Sequence, residues 1–247
     1  MAFQSVFKRY ELKYLLTLDQ KVRVLKAMAP YMKLDKYGRT TIRNLYYDTD
    51  TYLLIRRSIE KPTYKEKLRI RSYDKASPDS AVFVELKKKY KSVVYKRRLS
   101  LSEREATAWV SGGEYPRERT QIADEIAYFL DYYGSLHPTV FLSYEREAYY
   151  EKSGGDFRVT FDDTVLCRQD DLSLVSDVRG TSILPEGHVL MEIKCSGGIP
   201  LWMAAVLSKE RIYKTSFSKY GTAYKTLIFP QIHNDTMSEV MIHETLV

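Results

Sequence analysis

Positively charged side chains occupy every second position in several strand-like stretches of this sequence. In the stretch YKEKLRIRSY, each odd position from 65 to 71 is Lys or Arg, whereas Leu68 and Ile70 stand between them. Because successive side chains of a β-strand point to opposite faces, this spacing gathers the cations on one face. An antiparallel sheet with one solvated face alternates apolar and polar residues without preferring one sign of charge. The pattern therefore constrains the fold to one that collects cations on a single surface.

The same alternation recurs along most of the chain. Further groups that share a face are Arg9, Glu11 and Lys13; Glu85, Lys87 and Lys89; Lys96 and Arg98; Arg158, Thr160 and Asp162; and Glu192 and Lys194. We predict strands over residues 5–16, 41–48, 64–73, 81–90, 92–101, 139–150, 156–162 and 188–195. Apolar residues at helical spacing predict helices over 17–32, 102–109, 120–133, 200–211 and 216–228.

No Gly/Ser-rich or Pro-rich linker divides the sequence. We therefore predict a single domain over residues 1–230, followed by a tail over 231–247 that is either a short helix or mobile.

Two architectures explain a cationic strand face: an open sheet with a basic outer surface, or a closed barrel with a charged interior. The predicted helices are amphipathic and need an apolar sheet face to cover, which favours the barrel. About eight strands enclose a lumen wide enough for side chains and one slender ligand. The predicted fold class is thus α+β, a closed antiparallel β-barrel tunnel of about eight strands with helices packed on its outside. A lumen lined with cations repels itself unless an anion or carboxylates balance it.

Composition narrows the class of partner. The 247 residues carry 39 Lys and Arg against 32 Asp and Glu, a formal charge of +7 that favours anionic partners. The two cysteines, Cys167 and Cys195, form no metal-ligand motif. Charge begins early in the N-terminal stretch, and no apolar run approaches the roughly 20 residues that span a bilayer. We expect a cytoplasmic protein without a transmembrane segment.

Nine short motifs in order give this chain a family resemblance. They are YELKY (10–14), YYDT (46–49), LRIRSY (68–73), FVELKKK (83–89), SVVYKRRL (92–99), YEREAY (144–149), FRVTFD (157–162), LMEIK (190–194) and SKY (218–220). In this set the chain resembles the catalytic domain of the vacuolar transporter chaperone (VTC) family, the polyphosphate polymerase branch of the CYTH-like triphosphate tunnel metalloenzyme superfamily. Each motif alone is weak, whereas the ordered set is specific.

The resemblance implies roles for individual residues. The catalytic set it implies is Arg69, Arg71, Lys87, Arg146, Arg158 and Glu192. The phosphate-binding set it implies is Lys13, Lys96, Lys194 and Lys219. Glu192 is the implied ligand of Mn²⁺ or Mg²⁺. From the residues alone, Glu192 could instead pair with Lys194, and Glu11 and Glu85 could either pair with lumen cations or touch the metal.

One position departs from the superfamily pattern. Its first strand opens with ExExK, and Arg9 stands here at the first Glu position. A metal ligand is lost and a cation gained, which favours the polymerase branch over a two-metal hydrolase. The eukaryotic members also carry an SPX domain and transmembrane helices, neither of which is expected here.

The function predicted from these observations is transfer of the γ-phosphate of ATP to a growing inorganic polyphosphate chain. Two alternatives stay open: a tunnel triphosphatase acting on nucleoside or inorganic triphosphate, and a non-catalytic polyanion-binding module. No nucleic-acid partner is expected, because such a protein needs basic residues and aromatics on an exposed face. The expected partners are ATP and inorganic polyphosphate. A membrane-protein partner and the oligomeric state are left open.

Overall fold

The computed structural model describes residues 10–232 except 61, 92 and 118. The described strands form one antiparallel sheet: β1 (Tyr10–Thr17), β2 (Met32–Asp48), β3 (Tyr64–Tyr73), β4 (Ala81–Tyr90), β5 (Val93–Ser102), β6 (His137–Glu151), β7 (Arg158–Arg168), β8 (Thr181–Ser182), β9 (His188–Cys195) and β10 (Lys214–Thr215). The described helices are α1 (Leu18–Met28), α2 (Leu53–Ile59), α3 (Glu103–Val110), α4 (Gln121–Tyr133), α5 (Leu201–Lys209) and α6 (Lys219–Ala223), with a π-helix over Tyr224–Ile228.

The sheet is ordered β10-β1-β9-β7-β6-β2-β3-β4-β5, with β8 beside β7. The α+β class is confirmed, but the hydrogen-bonded ladder does not join its two ends. The predicted closed barrel is therefore not confirmed.

The sheet nevertheless curls until its two ends meet. Strands β1 and β4 are six steps apart in the sheet order, and a flat sheet would separate them by roughly 29 Å. Instead, Lys87 Nζ on β4 lies 3.1 Å from Glu11 Oε2 on β1. Curling of this kind follows from the right-handed twist of strands. Side chains, not backbone hydrogen bonds, span the gap and create a concave face.

Helices cover the convex face as predicted. Helices α3 and α4 pack on the apolar side of β3 and β4, where Trp109 and Phe129 meet Leu68 and Val84. Helices α1 and α5 pack on β7 and β9, where Met28 and Met203 join a second buried cluster. These two clusters hold the curved sheet from outside.

The predicted helix over 216–228 does not cover the outside. It is divided into α6 and the π-helix, and Tyr220 and Tyr224 pack against the concave-face residues Tyr46, Leu142 and Leu190. The amphipathic pattern predicted a helix correctly but assigned it to the wrong face. The aromatic residues of this segment instead cover part of the concave surface.

Local capping explains where α1 begins. Thr17 Oγ1 accepts from the backbone N–H of Gln20 at 3.2 Å, and the Gln20 side chain accepts from the Thr17 N–H at 3.0 Å. This capping box satisfies two backbone donors at the first turn. The helix ends at Met28, earlier than the predicted 17–32, because Pro30 follows.

Several elements were not predicted. Strand β2 begins at Met32 rather than 41, and α2 was missed. The α2 start depends on Asp48, whose carboxylate accepts from the N–H of Leu54 at 2.8 Å and of Ile55 at 3.0 Å. Residues 5–9 of the first predicted strand, Arg9 included, lie outside the described residues, as do residues 233–247 of the predicted tail. The domain limits stay a prediction. No described helix combines the length and apolar character needed to cross a bilayer.

Candidate functional site

The first half of the concave site is an arginine wall, formed by Arg69 and Arg71 on β3, Glu85 on β4, and Lys96 and Arg98 on β5. Backbone register places Arg69, Glu85 and Arg98 side by side across three strands. Glu85 accepts from Arg69 Nε at 2.8 Å and from Arg98 Nε at 2.7 Å, and Lys96 Nζ lies 2.7 Å away. The side chain of Glu85 is only 1% exposed. One buried carboxylate thus anchors several cations.

The carboxylate of this wall stays ionised. Burial works to raise the pKa of Glu85, but Arg69, Arg71 and Lys96 outweigh it and hold that pKa well below its usual value. Arg69 also donates from Nη1 to the Tyr46 hydroxyl at 2.8 Å. Such charge-assisted, forked hydrogen bonds hold guanidinium groups in a defined orientation.

Arg71 extends the wall towards the middle of the concave face. Its Nε donates to Asn44 Oδ1 and its Nη2 to the Tyr144 hydroxyl, both at 2.9 Å. Burial raises the pKa of Tyr144, yet the positive charges of Arg146, Arg71 and Lys219 lower it to about 8. A phenol that acidic reports a strongly positive environment.

The second half of the site is a lysine cluster, formed by Lys13, Lys67, Lys87 and Lys194 together with Glu11 and Glu192. Glu192 Oε1 lies 2.7 Å from Lys194 Nζ, whereas Glu192 Oε2 is 3.9 Å from Lys13 Nζ. Strands β1 and β9 bring these residues together, since Lys13 pairs with Glu192 and Glu11 with Lys194 in register. Nearby lysines, chiefly Lys194 and then Lys13, outweigh burial and hold the pKa of Glu192 well below normal.

Lys67 lies in this cluster and forms no ion pair with any carboxylate of the described residues. Its Nζ donates to Ser218 Oγ at 3.2 Å. Burial, followed by the charges of Lys13, Lys65 and other neighbouring cations, lowers the pKa of Lys67 to about 7. Burial and neighbouring lysines likewise lower the pKa of Lys13 to about 8, despite Glu192. The lowered pKa values of these two amines reflect an excess of positive charge in the cluster.

Asp162 binds two further cations of the concave face. Its carboxylate accepts from Arg146 at 2.6 and 2.7 Å and from Lys219 Nζ at 2.5 Å. Burial opposes ionisation, but Lys219 and Arg146 outweigh it and lower the pKa of Asp162 to about 2. Lys219, at the start of α6, thus connects this helix to β7 through Asp162.

The structure gathers most of the predicted site residues on one face. Arg69, Arg71 and Lys96 lie in the arginine wall; Lys13, Lys87, Lys194 and Glu192 lie in the lysine cluster; and Arg146 and Lys219 meet at Asp162. Arg158 stands apart: it is exposed, pairs in register with Lys194, and makes no ion pair with any other described residue. The assigned roles stay predictions, whereas the shared location is observed.

Sequence reasoning assigned no role to Lys67, Asp162 or Tyr144. For Glu85 it left two roles open, and the structure pairs this residue with Arg69, Lys96 and Arg98. Lys67 carried a signal, since it belongs to the alternating run that revealed the cationic face. No sequence signal indicated a role for Tyr144, because its hydroxyl contacts Arg71, which lies 73 residues away in the sequence.

The carboxylates fit a metal ion only partly. Glu85 and Asp162 are occupied by Arg and Lys donors, which leaves Glu192 and Glu11 as the pair with free acceptor capacity. Within residues 10–232, gaps aside, no group of three or more His, Cys, Asp or Glu could enclose a metal. Mg²⁺ is commonly held by one or two carboxylates plus substrate phosphates and water. The donor set therefore fits an ion that arrives with a phosphate ligand.

Comparisons with known proteins agree with this fold. A candidate adenylate cyclase from Bacillus halodurans has a TM-score of 0.53 at 15% identity, covering 84% of this chain and 92% of that chain. A candidate adenylyl cyclase from Hippeastrum, described as having a dominant triphosphatase activity, has a TM-score of 0.49 at 18% identity, covering 87% of this chain and 94% of that chain. At such identities the first likeness establishes the fold alone. Comparison with curated proteins gives no match.

The family is established by sequence. The sequence model of the VTC domain matches residues 8–228, which include both halves of the concave site. This match covers most of the sequence and confirms the resemblance found in the nine motifs. The chain therefore belongs to the VTC domain family.

Proposed function

We propose that this protein is a polyphosphate polymerase that transfers the γ-phosphate of ATP to a growing inorganic polyphosphate chain on the concave face. The observation that carries the proposal is the imbalance of charge on that face. Its described cations outnumber its described carboxylates, and the half-buried Lys67 forms no ion pair within the part of the chain that the structure describes. A linear polyphosphate supplies one negative charge or more per phosphate along a narrow path. It matches a curved surface lined with cations from both ends of the sheet.

The arrangement suits phosphoryl transfer. Such transfer needs in-line positioning and stabilisation of charge on the phosphoryl oxygens more than it needs covalent help. Arg69 and Arg71 present planar forks that bind two oxygens at once, and Lys13 and Lys67 add mobile point charges. The attacking terminal phosphate is already ionised, so the reaction requires no general base.

Metal dependence is part of the proposal. Glu192, with Glu11 beside it, would hold Mn²⁺ or Mg²⁺, which would neutralise charge on the donor phosphates. The amines of Lys194 and Lys13 lie beside the Glu192 carboxylate. On binding of a metal ion they would shift towards phosphate oxygens.

Product analysis tests the proposal. Purified protein is incubated with ATP and Mn²⁺, and the products are separated on a gel stained for polyphosphate. Long chains support the polymerase. Free phosphate without chains would instead identify a triphosphatase, and tight binding of tripolyphosphate without turnover would identify a binding module.

Matched variants test the site. Replacement of Glu192 by Gln, or of Arg69 and Arg71 by Ala, is expected to abolish turnover, each loss exceeding about 100-fold. Lys75→Ala is the control, because Lys75 is an exposed cation whose partner is Asp177, outside the site. Wild-type rates in the Glu192 and arginine variants would refute the site assignment.

A further inference from the structure

We propose that the nucleoside of the donor triphosphate binds at the far end of the arginine wall, stacked beside Tyr73 and Phe83 with its sugar in the adjoining cavity. This inference rests on the proposed function, because it takes a nucleoside triphosphate as the donor. It assigns a second part of the donor to residues that the phosphate site does not use.

A cavity of about 400 Å³ lies at this end of the wall, lined by Asp79, Ala81, Ser100 and Ser102 and also by Leu101, Glu105 and Arg117. Glu85 pairs with Arg98, Phe83 with Ser100, and Ala81 with Ser102, and every second residue of a strand points to the same face. Ala81, Ser100 and Ser102 therefore belong to the concave face, whereas Leu101 points to the other face and Glu105 is on α3. The cavity thus lies at the rim where the concave face meets the start of α3, and its volume is within the range of small-ligand sites.

Two aromatic rings stand between the cavity and the arginines. Tyr73 and Phe83 pack edge to face with ring centroids 5.7 Å apart, and Tyr73 is 46% exposed. The Arg98 guanidinium lies 4.5 Å from the centroid of Phe83. The open ring of Tyr73 and the guanidinium plane of Arg98 are both surfaces on which a planar base stacks.

Spacing connects this patch with the phosphate site. Phe83 lies two residues from Glu85 along β4, a distance of about 7 Å, and Ala81 lies about 13 Å from it. Phosphates bound at Arg69 would thus place the nucleoside beside Tyr73 and the Arg98 guanidinium that covers Phe83. The Ser100 hydroxyl and the Asp79 carboxylate can accept hydrogen bonds from sugar hydroxyls there.

The same strands provide a matched comparison. Tyr90 on β4 is 45% exposed. It lies on the opposite face, because its position differs from that of Phe83 by an odd number and the side chains of a strand alternate between faces. Tyr90 offers the same aromatic ring as Tyr73, but it does not lie on the concave face.

The test compares binding of ATP with binding of inorganic tripolyphosphate, each by calorimetry without turnover. Wild-type protein is expected to bind both. Tyr73→Ala and Phe83→Ala are expected to weaken ATP binding about tenfold, as loss of a stacked base does, and to change tripolyphosphate binding less than about twofold. Tyr73→Phe, which keeps the ring and loses only the hydroxyl that accepts from Arg98 Nη2 at 3.4 Å, should recover most of the ATP affinity lost in Tyr73→Ala. The control Tyr90→Ala should leave both affinities unchanged.

The outcomes separate this inference from the proposed function. If wild-type protein binds tripolyphosphate and both alanine variants leave ATP affinity unchanged, the nucleoside site is wrong while the phosphate site stands. If the variants weaken both ligands equally, the aromatic pair supports the fold and not the base, and the inference is again wrong. If wild-type protein binds neither ligand, the proposed function fails and this inference fails with it.

Discussion

The arginine wall and the lysine cluster face each other across one concave surface, yet they handle charge differently. In the wall, Glu85 is 1% exposed and neutralised by two guanidinium groups and an amine. In the cluster, Glu192 has one amine at 2.7 Å and a second only at 3.9 Å. Both carboxylates sit among cations, but only Glu192 keeps acceptor capacity for a further ligand.

The difference follows from the chemistry of the two cations. A guanidinium stays charged at any physiological pH and bonds in a fixed plane, whereas an amine loses its proton when burial and like charges disfavour it. The three arginines of the wall are thus permanently charged, and only its Lys96, whose pKa burial lowers to about 8, can lose its proton. The charge of the lysine cluster, in contrast, depends on the ligand that is bound.

Loss of Glu85 is expected to have the largest effect. Glu85→Gln would leave Arg69, Lys96 and Arg98 facing one another without their buried counter-charge, and breaking a buried ion network of this kind costs about 3–5 kcal/mol. Urea unfolding measures the change. Glu192→Gln, in the less saturated cluster, removes one close ion pair and should cost less, about 1–3 kcal/mol. Equal losses in the two variants would contradict the contrast between wall and cluster.

The next largest effect concerns pH. Because the pKa of Lys67 is lowered to about 7, Lys67 in the empty site loses its proton as pH rises above that value. Anion binding requires the protonated amine, so affinity should fall with rising pH by up to about tenfold per pH unit.

Lys67→Met isolates this contribution, since titration of the ligand is common to both proteins. The ratio of wild-type to variant affinity for tripolyphosphate, measured between about pH 6 and pH 9, should be largest at low pH and decline above pH 7. A constant ratio would show that Lys67 stays charged or lies outside the binding path.

An exchange of cation types sharpens the comparison further. Arg69→Lys keeps the charge but removes the fork that meets Glu85 and Tyr46, so tripolyphosphate affinity is expected to fall about tenfold. Lys13→Arg, in the cluster, should change affinity less than about threefold, because the amine acts as a point charge. The opposite ranking would mean that the lysine cluster, not the wall, defines ligand geometry.

The smallest effect is expected at Arg158. Its side chain is exposed and has no ion-pair partner among the described residues, so Arg158→Ala should alter tripolyphosphate affinity less than about threefold at physiological salt. The same titration at low salt should show a larger difference, because screening is weaker. A loss comparable with that of Arg69→Lys would place Arg158 in the binding site and restore the role that the family resemblance implied.

Much of this site was predictable because strand alternation is local. The cations at every second position from Lys65 to Arg71 share one face in any extended strand. Sequence alone therefore identified the cationic surface. The nine motifs then identified the family, since their order along the chain is independent of how the strands pair.

The rest was decided by tertiary structure, because it depends on contacts between residues far apart in sequence. Alternation gave Lys67 a face but no partner, and only folding brought Ser218 to it from 151 residues away. The pattern of the last helices was equally suited to either apolar surface, and packing of Tyr220 against Tyr46 placed them inside. Sequence thus determined which residues are charged and which face they share. Curling of the sheet decided which charges meet, because ion pairing and burial depend on distances that no local pattern encodes.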